Sequence, residues 1–225
     1  LLGVGYVQKT MPKFAVKKSA VATSGKRISA PIVVSLCLVC AFAVANGFVK
    51  DGVNTWTPKL LCDVHSIESH YAIIFTMVLP LVSIFGAYIA KLAYKKIPND
   101  VLLISIFFAV GGGVAALILW LYARTLFGTV ALFAVVSCMV AAVNNLITAA
   151  IPFRLRTVGR SGFFAGVLNT FCYVGSTIAS VLLGGIATSK GWNAVILLLM
   201  CALLVLSSVA LVFSLYWKKK ITPLL

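Results

Sequence analysis

Acidic residues are the scarcest feature of this chain: four Asp and Glu stand against 19 Lys and Arg in 225 residues. They are Asp51, Asp63, Glu68 and Asp100, too few and too dispersed to make the paired carboxylates of acid–base catalysis. Histidine is nearly absent as well. His65 and His70 fall in a stretch between apolar runs, so no proton relay on histidine is expected. The stretch Lys59 to Ser69, with His70 just after it, also holds Asp63 and Glu68, but no two of these carboxylates and imidazoles stand at i, i+4 spacing, and His65 has only Ser69 there. It reads as a solvated outer loop; no metal and no cofactor are expected. Cysteine gives no disulfide framework. Cys37, Cys40, Cys138, Cys172 and Cys201 lie inside apolar runs, where Cys behaves as a small apolar residue, and Cys62 alone faces outside. Cys37-x-x-Cys40 has redox spacing without the βαβ context that would use it. No signal peptide, with its charged start, apolar centre and cleavage site, is expected among these residues. Of the groups catalysis draws on, only Lys50 and Asp51 stand at membrane depth, so an enzyme is not expected.

What is present is apolar. Such residues make up 62% of the chain, and uncharged runs cover 31–49, 71–90, 101–123, 125–153, 161–189 and 191–217. Each is of the length that crosses a hydrocarbon core, about 18 residues or more, which predicts six spanning helices. The net charge of +15 suggests nucleic acid until its placement is read. Lys9, Lys13, Lys17, Lys18, Lys26 and Arg27 precede the first run; Lys91, Lys95 and Lys96 follow the second. Arg154, Arg156 and Arg160 follow the fourth, and Lys218 to Lys220 the sixth, whereas alternate loops hold only Lys59, Arg124 and Lys190. This is the positive-inside pattern with both ends cytoplasmic, so the partner is a lipid bilayer and not nucleic acid.

One stretch breaks the apolar pattern. Lys50 and Asp51 continue the first run, where a charge near the bilayer centre costs ~2.5–3.5 kcal/mol on insertion scales. At 100° per residue Ser35, Asn46, Lys50, Asn54 and Thr57 share one sector, which reads as the wall of a polar cavity. Two readings stand for Lys50: a ligand-binding cation, or a lysine near the outer end of its helix that snorkels to water beside Asp51. Trp56 and Pro58 mark that outer end on sequence grounds. Farther along, Pro80 predicts a kink in the second helix, and Gly111-Gly112-Gly113 a close helix contact in the third. Asn144 and Asn145 need polar partners, as a gate or a ligand contact. On the fifth, Asn169, Tyr173, Ser176, Thr177 and Ser180 form one polar face, with Gly162-x-x-x-Gly166 and Ser180-x-x-x-Gly184 as packing positions. The sixth reads as peripheral and lipid-facing.

The stretch from Lys50 to Pro58, Lys-Asp-Gly-Val-Asn-Thr-Trp-Thr-Pro, resembles the Arg-x-Gly-x-x-x-Trp-Ser-Pro of organophosphate:phosphate antiporters of the major facilitator superfamily. Ala165-Gly166, Tyr173-Val174-Gly175 and Gly191-Trp192 are similar to that family's penultimate helix and the turn after it. The resemblance implies an all-α membrane protein: six transmembrane helices, one half of a twelve-helix transporter. Residues 1–30 would be the end of a preceding helix and a basic cytoplasmic linker, 31–220 the C-terminal bundle and 221–225 a tail. It implies secondary transport of a small organic anion, a sugar phosphate or glycerol phosphate, by alternating access across a bacterial inner membrane. An N-terminal six-helix half would supply the second wall. The alternative it leaves open is a receptor that binds a sugar phosphate without moving it. The substrate-binding residues expected are Lys50, Asn46, Asn54, Asn169 and Tyr173. Lysine at position 50, where the family has arginine, exchanges a two-pronged grip on phosphate for a point charge, and Asp51 partly neutralises it.

Overall fold

The computed structural model describes residues 30–155 and 161–221. The expected linker, Arg156 and Arg160, and residues 222–225 lie outside the described residues. All described elements are helical: α1 Ala30–His65, α2 Ser69–Thr76, α3 Val78–Lys96, α4 Asp100–Leu121, α5 Leu126–Asn145, α6 Ile151–Arg154 and α7 Ser161–Tyr216. A π-helical turn, Leu146–Ala150, joins α5 to α6, and another, Trp217–Ile221, follows α7. Helices predominate for a physical reason: without water to bond the backbone, a spanning segment must satisfy its own N–H and C=O groups.

By length and composition five helical stretches are able to cross a membrane: Val33–His65, Ser69–Lys96, Asp100–Leu121, Leu126–Arg154 and Ser161–Lys219. Six were expected. The runs over 161–189 and 191–217 are continuous in α7, interrupted only at Gly191, where φ 78° and ψ 176° leave helical space. Glycine alone adopts that conformation cheaply.

Proline shapes the first two stretches differently from expectation. Pro58 does not end α1, which continues to His65. The ring removes one intrahelical hydrogen bond, yet Leu60 and Leu61 beyond it are buried in the core. Tertiary packing outweighs the local break. The expected loop Lys59 to Ser69 therefore shrinks to Ser66–Glu68, and Lys59 pairs with Asp63 at 2.8 Å on the helix surface. Pro80 does disturb its helix. It cannot donate to the Thr76 carbonyl, and the break between α2 and α3 falls at Met77.

Contacts give the direction of each rod. Gly47 meets Cys172, Gly52 meets Ala179 and Leu183, and Gly184 meets the Trp56 ring, so residues 161–190 run parallel to α1. Residues 192–216 run the other way: Trp192 donates to Asp63 at 3.1 Å, Leu199 lies at Gly52, and the Phe213 ring lies tilted against Phe42. The chain thus reverses at Gly191. Phe75 with Phe127, Gly86 with Cys138 and Tyr94 with Arg154 make α2–α3 parallel to α5–α6. Antiparallel pairing joins α4 to residues 192–216, where Ser105 and Ser207 exchange hydrogen bonds to each other's carbonyls at 2.8 and 2.9 Å.

These pairings have an order. The rods α1, α2–α3 and α4 form one triplet; α5–α6, 161–190 and 192–216 form a second. The first rod of each triplet packs on the second rod of the other, and third packs on third. Because the crossed pairs are parallel, the triplets have opposite orientation.

Candidate functional site

Lys50 occupies the interior of α1, about four turns before its end at His65. It is partly exposed and lies 3.6 Å from Asp51, also partly exposed. The pair is loose because consecutive helical residues point about 100° apart and do not face one another. An ammonium so held can exchange its partner for another anion.

The amides one turn to either side are far more constrained. Asn46 is fully buried, and its Nδ2 donates to Asn144 Oδ1 of α5 at 3.4 Å. The Cys172 thiol of α7 reaches the same oxygen at 3.6 Å. Three rods meet at one carbonyl, and the Asn46 carbonyl oxygen is left buried without a hydrogen bond. Asn54 accepts from the Ser137 hydroxyl of α5 at 3.1 Å. The two amides are therefore anchored to α5, with the lysine between them held only by its loose pair with Asp51.

Not every member of the expected sector belongs to a cavity wall. Thr57 is buried and donates to its own helix at Val53 O, 2.6 Å away, and Ser35 is also buried. Asn169 and Tyr173 lie on the exposed face of α7, and their side chains make no hydrogen bond among the described residues. Thr177 and Ser180 on that face turn their hydroxyls back to Tyr173 O and Ser176 O. Thus Asn46, Lys50 and Asn54 follow one another along α1, Asn46 and Asn54 bonded to α5, while Asn169 and Tyr173 lie on the exposed face of α7.

Packing glycines were partly misplaced by sequence spacing. Gly162 and Gly166 face open space, whereas Gly47 and Gly175 carry the tightest helix crossing. Gly111 and Gly112 do pack, beneath Leu203 and Leu204; Gly113 does not. The contributions of Ser137 and Cys172 were also missed. A lone Ser or Cys in an apolar run carries no local signal, and Gly47, one residue from Asn46, was the available hint of a close neighbour.

A second polar cluster closes the α3–α4 turn. Asp100, fully buried, pairs with Arg154 Nε at 2.7 Å, and Arg154 also donates to the Tyr94 hydroxyl and to Pro98 O at 2.9 Å. Asn99 caps α4 by accepting from Leu102 N at 3.2 Å and donates to Ser214 O at 3.3 Å. Beside it, between α3 and the end of α5, opens a cleft of about 690 Å3 whose lining includes none of the five expected site residues.

No protein-family model, no curated protein and no solved structure matches this chain.

Proposed function

We propose that this chain forms one wall of a secondary transporter for a small organic anion, with Lys50 as the cation that meets it. The observation that carries this reading is the setting of Lys50. A lysine deep within a long apolar helix, flanked one turn either way by amides anchored to a second helix, is a poor design for snorkelling. It suits a group that waits for a ligand.

Two further features support the reading. Triplets of opposite orientation, packed first on second, are the plan of transporters that rock around a central site. The exposed Asn169 amide would be costly against lipid, and facing a wet cavity or a second bundle removes that cost. On this reading residues 161–190 and 192–216 cross separately, because 59 helical residues would span about 88 Å, far beyond a hydrocarbon core of about 30 Å. Six crossings result, with both ends and the Arg154–Arg160 loop cytoplasmic. The family reading is a half of a major facilitator superfamily transporter related to the organophosphate antiporters. Its substrate is a sugar phosphate or glycerol phosphate, and a second six-helix half completes the site.

Counterflow of glycerol 3-phosphate and of glucose 6-phosphate by the full-length protein in proteoliposomes tests this. A hydrogen bond to a charged group is worth roughly 1.5–3 kcal/mol, so Lys50→Gln should lose about ten- to hundredfold in affinity. Lys50→Arg should retain binding. Normal uptake by Lys50→Gln would refute the role of Lys50, and binding without exchange would establish a receptor instead.

A further inference from the structure

The cleft between α3 and the end of α5 is unrelated to Lys50 and has its own chemistry. Its walls are Ala87 and Ala90 on one side and Leu146, Ala149, Ala150 and Phe153 on the other, with Lys91, Tyr94 and Arg154 toward one end. The hollow has a sequence origin: four alanines stand where larger side chains would fill it. The π turn Leu146–Ala150 contributes too, since a wider turn displaces the side chains after it from α-helical register. On the α5 side the cleft starts at Asn145, about 100° round the helix from Asn144 and the α1 contact.

Both walls run from apolar to basic in the same direction, because α3 and α5 are parallel. Along α3 the order is Ala87, Ala90, Lys91, Tyr94, and Lys95 and Lys96 follow at the helix end. Along the other wall alanines and Phe153 precede Arg154. Asp100, the carboxylate nearest this end, is fully buried against Arg154 and does not line the cleft. Arg154 is neutralised by Asp100, so the charge this end offers is that of Lys91, and an apolar slot ending in a lysine has the polarity of a lipid with an acidic headgroup. A small soluble anion would leave the apolar walls unused.

We propose that this cleft binds one anionic phospholipid, with its acyl chain along the alanine walls and its phosphate at Lys91 and Tyr94. Basic pockets between spanning helices on the cytoplasmic side recognise such headgroups through the same combination of charge and slot. The site is independent of any transport substrate, and its failure would leave the role of Lys50 untouched.

Native mass spectrometry of the full-length protein in uncharged detergent tests it, with phosphatidylglycerol and phosphatidylcholine as probes. One lysine at the headgroup level contributes about fivefold, so phosphatidylglycerol should be retained at least that much more tightly. Lys91→Glu, on an exposed side chain, should erase the preference. Ala149→Leu, also at an exposed position, should fill the slot and weaken retention of both lipids. Equal retention of the two lipids overturns the proposal, as does unchanged preference and retention in both variants. Displacement of phosphatidylglycerol by glycerol 3-phosphate or inorganic phosphate would identify a soluble-anion site instead and overturn it as well.

Discussion

Adding one methyl group at Gly175 should damage both the stability and the site of this protein. A Cβ built there would stand 2.7 Å from the Val44 carbonyl carbon and 2.9 Å from Phe48 N; at Gly47 it would meet the Cys172 carbonyl carbon at 2.7 Å. Contact distances between carbon atoms are about 3.5–4.0 Å, so α1 and α7 would have to part by on the order of 1 Å. The obstructing atoms are backbone, and no rotamer change can move them aside. Overpacking of this kind costs about 1–3 kcal/mol, and the rigid surroundings favour the upper end. For a chain of this size that is a fall in melting temperature of roughly 5–10 °C. The same displacement would pull Cys172 from Asn144 and disturb Asn46, so, if Lys50 binds an anion as proposed, affinity for it should fall in Gly175→Ala even where the protein survives purification. Gly166→Ala is the control. Its Cβ meets open space, and alanine improves helix propensity by up to about 1 kcal/mol. Thermal unfolding in detergent, followed by anion binding, reads both effects. If Gly175→Ala and Gly166→Ala melt alike and bind alike, the close crossing is not where the geometry puts it.

Arg154→Ala should cost about 3–5 kcal/mol, because it strands the buried Asp100 carboxylate, and Asp100→Asn in the same chain should restore much of the loss. Unfolding temperatures of the single and double variants measure this, and a wild-type melt for Arg154→Ala would discount the pair. Cys62 should react with an impermeant maleimide in intact cells after the other five cysteines are replaced by alanine or serine. Labelling that appears only once the membrane is broken would reverse the proposed orientation.

Much of this protein is local, and local features are legible in sequence. Helix formation in apolar runs follows from hydropathy alone, since a helix is the one open element that satisfies its backbone in lipid. Lys50 was conspicuous for the same reason, as a charge where hydration is lost. The disturbance before Pro80 was likewise within reach, being a property of a residue and its own helix, and the run of small side chains at Gly111 and Gly112 marked a close contact without saying that Leu203 and Leu204 would make it.

What the fold decided are relations between helices. Pro58 reads as a terminator, but Leu60 and Leu61 beyond it enter the core, and their burial carries α1 on to His65. Gly162 and Gly166 have Gly-x-x-x-Gly spacing and face nothing; Gly47 and Gly175 have no glycine four residues away, and each faces a backbone. Asn46 and Asn144 are 98 residues apart, and only the antiparallel approach of α5 to α1 makes them partners. Asn169 and Tyr173 share a periodicity with one another, and both lie on the exposed face of α7. Periodicity assigns a residue to a face, whereas what that face meets depends on which rods lie beside it. That is set by packing summed over the whole bundle.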